Sequence, residues 1–140
     1  ASVGAPTGDA DTHLGMGHYM VMPSLFVAAQ RGRASFTVHV GGGKSLGGEA
    51  HMGHVGAIVS PMNATEVGGS VRAGVAVADA LSIHGTAGVA VPIGDGVTRS
   101  TAGAGARHQL AGADVGVELH VPLAGDPYRV RLVADVAYRF

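Results

Sequence analysis

The chain has 140 residues, the size of one domain, and only 14% of them are charged, against about a quarter in soluble domains. The net charge of −1 leaves no basic surplus for neutralising phosphates, which argues against nucleic acid as a partner, and the absence of cysteine excludes disulfides and thiolate metal sites. Hydrophobic residues make up 46% of the chain, yet no run approaches the ~20 apolar residues that a membrane helix needs.

The first twelve residues are predicted to be a flexible N-terminal segment. Residues 1–12 contain glycine, proline and aspartate, and the small, polar start Ala1-Ser-Val-Gly-Ala-Pro is what we expect just after a cleaved export signal. Residues 13–140 are predicted to form a single transmembrane β-barrel domain, for the reasons that follow.

Beyond the first twelve residues, turn residues divide the chain into segments in which apolar and polar residues alternate. No segment has the period of a helix. Eight strands of about ten residues with short connections predict an all-β fold, namely an eight-stranded antiparallel up-and-down barrel. The predicted strands cover residues 13–29, 33–46, 51–60, 66–78, 81–93, 98–110, 113–123 and 128–140.

The first three predicted strands contain an unusual set of methionines and histidines. If the hairpins turn at Arg31-Gly32 and Gly47-Gly48, five of these side chains converge in the lumen over a glycine gap. Thioether and imidazole together favour copper, especially Cu(I). The same residues also fit a lumen that is simply packed with methionine. A bulge at Pro23 could also reverse which residues of the first strand face the lumen. The predicted metal ligands are Met20, Met22, His39, Met52 and His54.

The middle strands carry apolar residues on one face and small or polar residues on the other. Along residues 81–93, for example, the face of Leu81, Ile83 and Val89 opposes a face of Ser, His, Thr and Gly. The apolar face has few large aromatics, which suits lipid better than a soluble core. The small polar face suits the narrow lumen of an eight-stranded barrel. A soluble barrel with the two faces reversed is the alternative.

Charged residues of the last three strands are predicted to meet inside the lumen. With hairpins at Ala111-Gly112 and Gly125-Asp126, Glu118 lies diagonal to both Arg107 and Arg131, so that one carboxylate offsets two guanidinium groups. The predicted luminal network consists of Arg107, Glu118, His120, Arg131 and Asp135. We interpret it as a structural ion-pair network that fixes register, with a proton or ion path as the alternative.

The last thirteen residues have the pattern of a membrane-crossing strand, with an aromatic near each end of the apolar face. That face consists of Tyr128, Val130, Leu132, Ala134, Val136, Tyr138 and Phe140. The segment resembles the C-terminal strand of bacterial outer-membrane β-barrels, and the pattern of the whole chain resembles small eight-stranded barrels of the OmpA/OmpX kind. In such barrels the terminal aromatics, here Tyr138 and Phe140, form the assembly signal.

The resemblance implies a location in the bacterial outer membrane with both termini in the periplasm. It also implies contact with outer-membrane lipid and with the barrel-assembly machinery. Barrels of this kind usually carry long extracellular loops that do the binding, whereas every connection predicted here is short.

We therefore expect a small outer-membrane β-barrel with a structural role, or a subunit or partner of another envelope protein. An open pore is not expected, because eight-stranded barrels are filled by side chains. Neither a cofactor nor an enzymatic activity is expected. The first alternative is a copper-binding or copper-handling barrel. A weaker alternative is a lipid-modifying enzyme, because His108 and Glu118 suggest the His-Ser-Glu triad of lipid A deacylases, although Leu110 stands where the serine belongs.

Overall fold

The computed structural model describes residues 2–4, 19–46, 65–126 and 128–138, and these residues confirm the predicted all-β, antiparallel, up-and-down fold. Among them there is no helix long and apolar enough to cross a membrane. The strands are β1 (Ser2–Gly4), β2 (Tyr19–Met22), β3 (Ser24–Arg31), β4 (Ala34–Leu46), β5 (Thr65–Ala78), β6 (Leu81–Pro92), β7 (Arg99–Leu110), β8 (Ala113–Ala124) and β9 (Arg131–Tyr138).

The strand order in the sheet is β1-β2-β4-β5-β6-β7-β8-β9, and β3 also pairs with β4. β2 and β3 lie end to end along the same edge of β4 and act as one strand interrupted at Pro23. Proline has no N–H to donate, but its carbonyl accepts a hydrogen bond from Gly42 N at 3.1 Å. The described sheet therefore has eight antiparallel strands and forms a curled half-barrel.

The direction of the curl follows from contacts between distant strands. Arg72 on β5 lies 2.5 Å from Glu118 on β8, although these strands are three places apart and neighbouring strands are about 4.8 Å apart. Side chains can bridge that distance only on the concave side of a curved sheet. The polar face is therefore concave and the apolar face convex.

The exposure of the side chains is the reverse of that in a soluble protein. Along β6 the residues alternate between exposed and half-buried, and the exposed ones are the apolar set. Val89, at 47% exposure, is typical of that convex face. Among the described residues the only buried hydrophobic side chain is Met20, while Glu66, Arg99 and Glu118 are buried and charged. The fold thus keeps charge inside and presents aliphatic surface outside.

The connections differ between the two ends of the sheet. At one end, three tight turns join strand pairs at Gly32-Arg33, Asp79-Ala80 and Ala111-Gly112. Gly32 and Gly112 have φ values of +59° and +82°, which glycine adopts without steric cost. The longer connections lie at the opposite end. β9 ends at the tight-turn end, whereas β1 pairs with β2 at the end with the longer connections.

The later predicted strands agree closely with the structure. The boundaries of β4 to β8 differ from the predicted ones by one residue at most, and β9 begins at Arg131 rather than Tyr128. The described part of the predicted first strand corresponds to β2 and β3, which reach Arg31. Turn glycines and a clear two-residue period therefore located these strands from sequence alone.

The predicted third strand, residues 51–60, lies outside the described residues, but its predicted pairing with β4 is wrong. One edge of β4 is occupied by β2 and β3, and the other by β5, with Gly41 opposite Gly68 and Gly43 opposite Glu66. The hairpin predicted at Gly47-Gly48 lies outside the described residues. β4 and β5 pair directly although residues 47–64 separate them, so the prediction that every connection is short is wrong. The remaining strand of the eight is β1, which pairs with β2.

Candidate functional site

Glu118 occupies the centre of the concave face and is only 8% exposed. It lies near the middle of β8, directly opposite Gly105 of β7. Burying a carboxylate is costly unless donors compensate for the lost water. The neighbouring strands must therefore supply these donors.

Four donors surround this carboxylate. Arg72 Nη2 and His84 Nε2 lie 2.5 and 3.2 Å from Oε2, and Thr86 Oγ1 and His120 Nε2 lie 2.8 and 3.0 Å from Oε1. Each carboxylate oxygen thus faces two donors, and the Arg72 guanidinium offsets the negative charge. We refer to these five residues as the Glu118 cluster. It ties together β5, β6 and β8, three strands that are not all neighbours.

Glycines on β7 make room for the cluster. A Cβ atom on Gly105 would lie 2.8 Å from His84 Nε2, and one on Gly103 would lie 2.7 Å from Thr86 Oγ1. These are closer than real Cβ contacts, so any larger residue would displace the polar side chains. The small residues predicted on the polar face therefore leave space, at β7, for the side chains of His84 and Thr86.

Two further ion pairs lie on either side of the cluster. Towards the tight-turn end, Arg107 Nη2 donates to Asp135 Oδ2 at 2.7 Å. Towards the opposite end, Arg99 donates from Nη2 to Glu66, and both residues are buried. The Nε atom of Arg99 is buried too, and no hydrogen-bond partner is found for it among the described residues.

Arg131 belongs to a different set of contacts, at the β8–β9 connection. It hydrogen bonds with Tyr128, whose hydroxyl donates to Asp126 Oδ2 at 3.4 Å. Burial, reinforced by the Asp126 charge, raises the pKa of the Tyr128 phenol above its usual value. The phenol hydroxyl thus acts as a hydrogen-bond donor at this connection.

The predicted luminal network is correct in register but not in all of its contacts. His120 does lie opposite Arg131, and Arg107 is diagonal to Glu118, as predicted. However, the guanidinium that binds Glu118 is that of Arg72, while Arg107 turns to Asp135. The prediction considered only adjacent strands, whereas curvature brings β5 across to β8.

His84, Thr86 and Glu66 were not predicted as site residues. His84 and Thr86 lie on the polar face of β6 and pair with positions on β7 that are glycine. The sequence does contain a signal for these two residues, because large polar residues paired with glycines on the neighbouring strand indicate side chains that fold over that strand. Glu66 pairs with a residue two strands away, and no adjacent-strand pattern identifies it.

The predicted His/Met cluster is described only in part. Met20 is fully buried, and Met22 and His39 line the same cavity. The first hairpin turns at Gly32-Arg33, so Met20 pairs with Ser45 rather than with Gly43, although it keeps its inward direction. The other two predicted ligands, Met52 and His54, lie outside the described residues. Within the described ranges no group of three or more His, Asp or Glu is suited to hold a metal.

Three other predicted positions are placed as follows. Tyr138 is exposed at the end of β9, and Phe140 lies outside the described residues. His108 pairs with Leu81 on the convex face. It therefore lies on the opposite face of the sheet from Glu118, and the two residues do not form the pair that a lipid A deacylase-like triad would need.

Comparison with models of protein families, with curated proteins and with solved structures finds no match to this chain. The geometry itself must therefore support any functional argument. It offers buried, paired charges that lock distant strands together and an aliphatic convex surface. The paired carboxylates and cations are suited to holding a curved sheet in one register.

Proposed function

We propose that this chain is a small outer-membrane β-barrel protein that acts structurally or as a subunit or partner of an envelope complex. The observation that carries the proposal is the reversed polarity of the sheet, with aliphatic side chains on the convex face and buried ion pairs on the concave face. Transmembrane barrels have this arrangement. A soluble barrel with the faces reversed would curl the other way.

Side chains occupy the centre of the concave face, which favours a structural role over an open pore. Arginine, histidine and threonine side chains from β5, β6 and β8 meet at Glu118 rather than lining a clear passage. Eight-stranded barrels are commonly filled in this way. If the C-terminus is periplasmic, as expected, the tight-turn end, where β9 ends, faces the periplasm.

The edges of the sheet favour a role as a subunit or partner. β3 pairs only with β4, and β9 pairs only with β8, so each has one unpaired edge within the described residues. Open sheet edges are not tolerated in the hydrocarbon core, because no water satisfies the backbone there. Further strands, from this or another chain, would complete the barrel.

The membrane proposal can be tested by nitroxide scanning, since the chain has no native cysteine. Single cysteines at Ile83 and Ala87 on the convex face of β6 should report high accessibility to oxygen in lipid vesicles. Ser82 and Thr86, on the concave face, should not. A label at Asp95 in the β6–β7 connection provides the water-exposed control. Equal access of a water-soluble nickel reagent to Ile83 and Asp95 would count against membrane insertion.

Copper binding remains the second candidate, because Met22 and His39 line one cavity. Thioether and imidazole ligands favour Cu(I) over Zn(II), so Cu(I) should raise the melting temperature of the folded protein more than Zn(II) does. His39→Ala should reduce that shift, and the matched control His108→Ala should not. Absence of a Cu(I)-dependent shift at micromolar metal would refute this candidate. No described contact favours the lipid-modifying enzyme.

A further inference from the structure

A cavity of about 480 Å³ opens on the concave face, towards the end with the longer connections. Its volume is within the range of small-molecule sites, roughly 300–1,000 Å³. Glycines of β4, β5 and β6 supply much of its wall, which explains the free space, and cationic side chains project into it from β7 and β9. Neither the ion-pair network nor the lipid-facing surface accounts for this space.

Arg99 is the decisive residue of the cavity. It is 8% exposed, and its Nη2 donates to Glu66, but its buried Nε has no hydrogen-bond partner among the described residues. A buried donor without an acceptor is destabilising, so a ligand that draws the guanidinium into the cavity, where Nε can donate, would be favoured. The stem of Arg99 passes close to Gly125, where an added Cβ would lie 2.9 Å from Arg99 Cγ.

Further donors line the same cavity. Arg131, His39 and the hydroxyl of Thr101 all contribute to its wall. The two carboxylates in the wall already accept hydrogen bonds, Glu66 from Arg99 and Asp126 from Tyr128. Each guanidinium has five N–H donors, more than its carboxylate or phenol partner uses. Two guanidinium groups and two carboxylates thus share the wall, and the guanidinium N–H groups left over are available to an added acceptor.

We propose that this cavity binds a small oxyanion of the phosphate type, held by Arg99 and Arg131 with help from His39 and Thr101. Guanidinium groups recognise tetrahedral and planar oxyanions through charge-assisted hydrogen bonds. Two guanidinium groups also oppose a bare metal cation, so the oxyanion and Cu(I) are competing occupants. The proposal does not depend on the membrane location, because it concerns only the concave face.

The test is a titration of the folded full-length chain in detergent with inorganic phosphate, at constant ionic strength. Arg99→Gln should weaken phosphate binding by about tenfold or more, because it removes a charged donor. Glu66→Gln should instead tighten binding severalfold, because it removes the competing carboxylate. The control Arg107→Gln changes an arginine of the same face that lies outside the cavity, and it should leave binding unchanged.

The opposite responses of Arg99→Gln and Glu66→Gln separate a binding site from a purely structural pair, in which both changes would act in the same direction. If Arg99→Gln fails to fold, the sign of the Glu66→Gln effect still decides. Phosphatidic acid dissolved in the same detergent is titrated separately, since a lipid phosphate presents the same chemistry. Saturable binding of either source with this pattern supports the site. Absence of phosphate and phosphatidic acid binding at millimolar concentration, or binding of Cu(I) alone, would overturn the proposal.

Discussion

At the scale of single residues, Glu118 is the side chain on which most of the concave face depends. It is buried and receives hydrogen bonds from Arg72, Thr86 and two imidazoles. Removing Glu118 leaves the half-buried donors of His84 and Thr86 without their acceptor, at a cost of about 1–3 kcal/mol for each unsatisfied group. The effect of a mutation here is therefore expected to be large.

We predict that Glu118→Ala lowers the free energy of unfolding by about 3–5 kcal/mol, measured by urea titration of the refolded protein. In a double-mutant cycle, the coupling energy between Arg72→Ala and Glu118→Ala should be only about 1 kcal/mol. The Arg72 side chain is 45% exposed, so water solvates its charge when Glu118 is removed. Arg107→Ala is the matched control, since Arg107 bonds Asp135 instead, and its effect should be additive with that of Glu118→Ala. Additivity of Arg72→Ala with Glu118→Ala would contradict the assigned contact.

At the scale of strands, the sequence predicted the C-terminal part of the sheet well and the N-terminal part poorly. From β5 to β8 the pairing is interrupted only by register shifts at Ala76–Ala78 and Ser100–Thr101, and turn residues mark the ends of the strands, so the alternation of apolar and polar residues located each strand and its faces. Around β4, the glycines at Gly41–Gly43 have no side chains with which to specify a partner. Gly47-Gly48 also has the composition of a hairpin turn, and this led to the wrong neighbour for β4.

The contacts across the concave face could not be predicted by the same means. Adjacent-strand register correctly placed His120 opposite Arg131. The partnership of Arg72 with Glu118 depends instead on how tightly the sheet curls, and no local pattern encodes that curvature. Glycines opposite bulky polar residues were the one available clue, because they show where the concave face must accommodate large side chains.

The pairing of glycines with polar side chains gives a prediction at this scale. Gly105→Ala should destabilise the protein by about 1–3 kcal/mol, because the new methyl group would lie 2.6 Å from Val117 O and 2.8 Å from His84 Nε2. Gly85→Ala, on the convex face of the neighbouring strand, is the control, since its nearest atom would be Gly103 O at 3.8 Å. This change should be neutral or stabilise by up to about 1 kcal/mol. Equal unfolding midpoints for the two variants would show that the concave face is not tightly packed at β7.

At the scale of the whole molecule, the direction of the edge strands limits how a barrel can close. Without the short β1, and with β2 and β3 counted as one strand, the sheet has seven strands that alternate in direction. The first and the last of these, β3 and β9, therefore run in the same direction. Direct pairing of β3 with β9 would be parallel. An antiparallel closure therefore requires an odd number of additional strands between them. β1 already pairs with β2 in the orientation that such a strand would have.

This requirement predicts a difference in amide hydrogen exchange between the isolated chain and its native membrane. In detergent, about half of the β3 amides point to the open edge and should exchange quickly, whereas β6, paired on both sides, should be protected. In the native membrane β3 and β9 should become as protected as β6, because lipid cannot satisfy an open edge. β6 serves as the internal control in both samples. If β3 stays unprotected in the membrane while β6 is protected, the sheet does not lie in the hydrocarbon core, and the proposal of a membrane barrel fails with it.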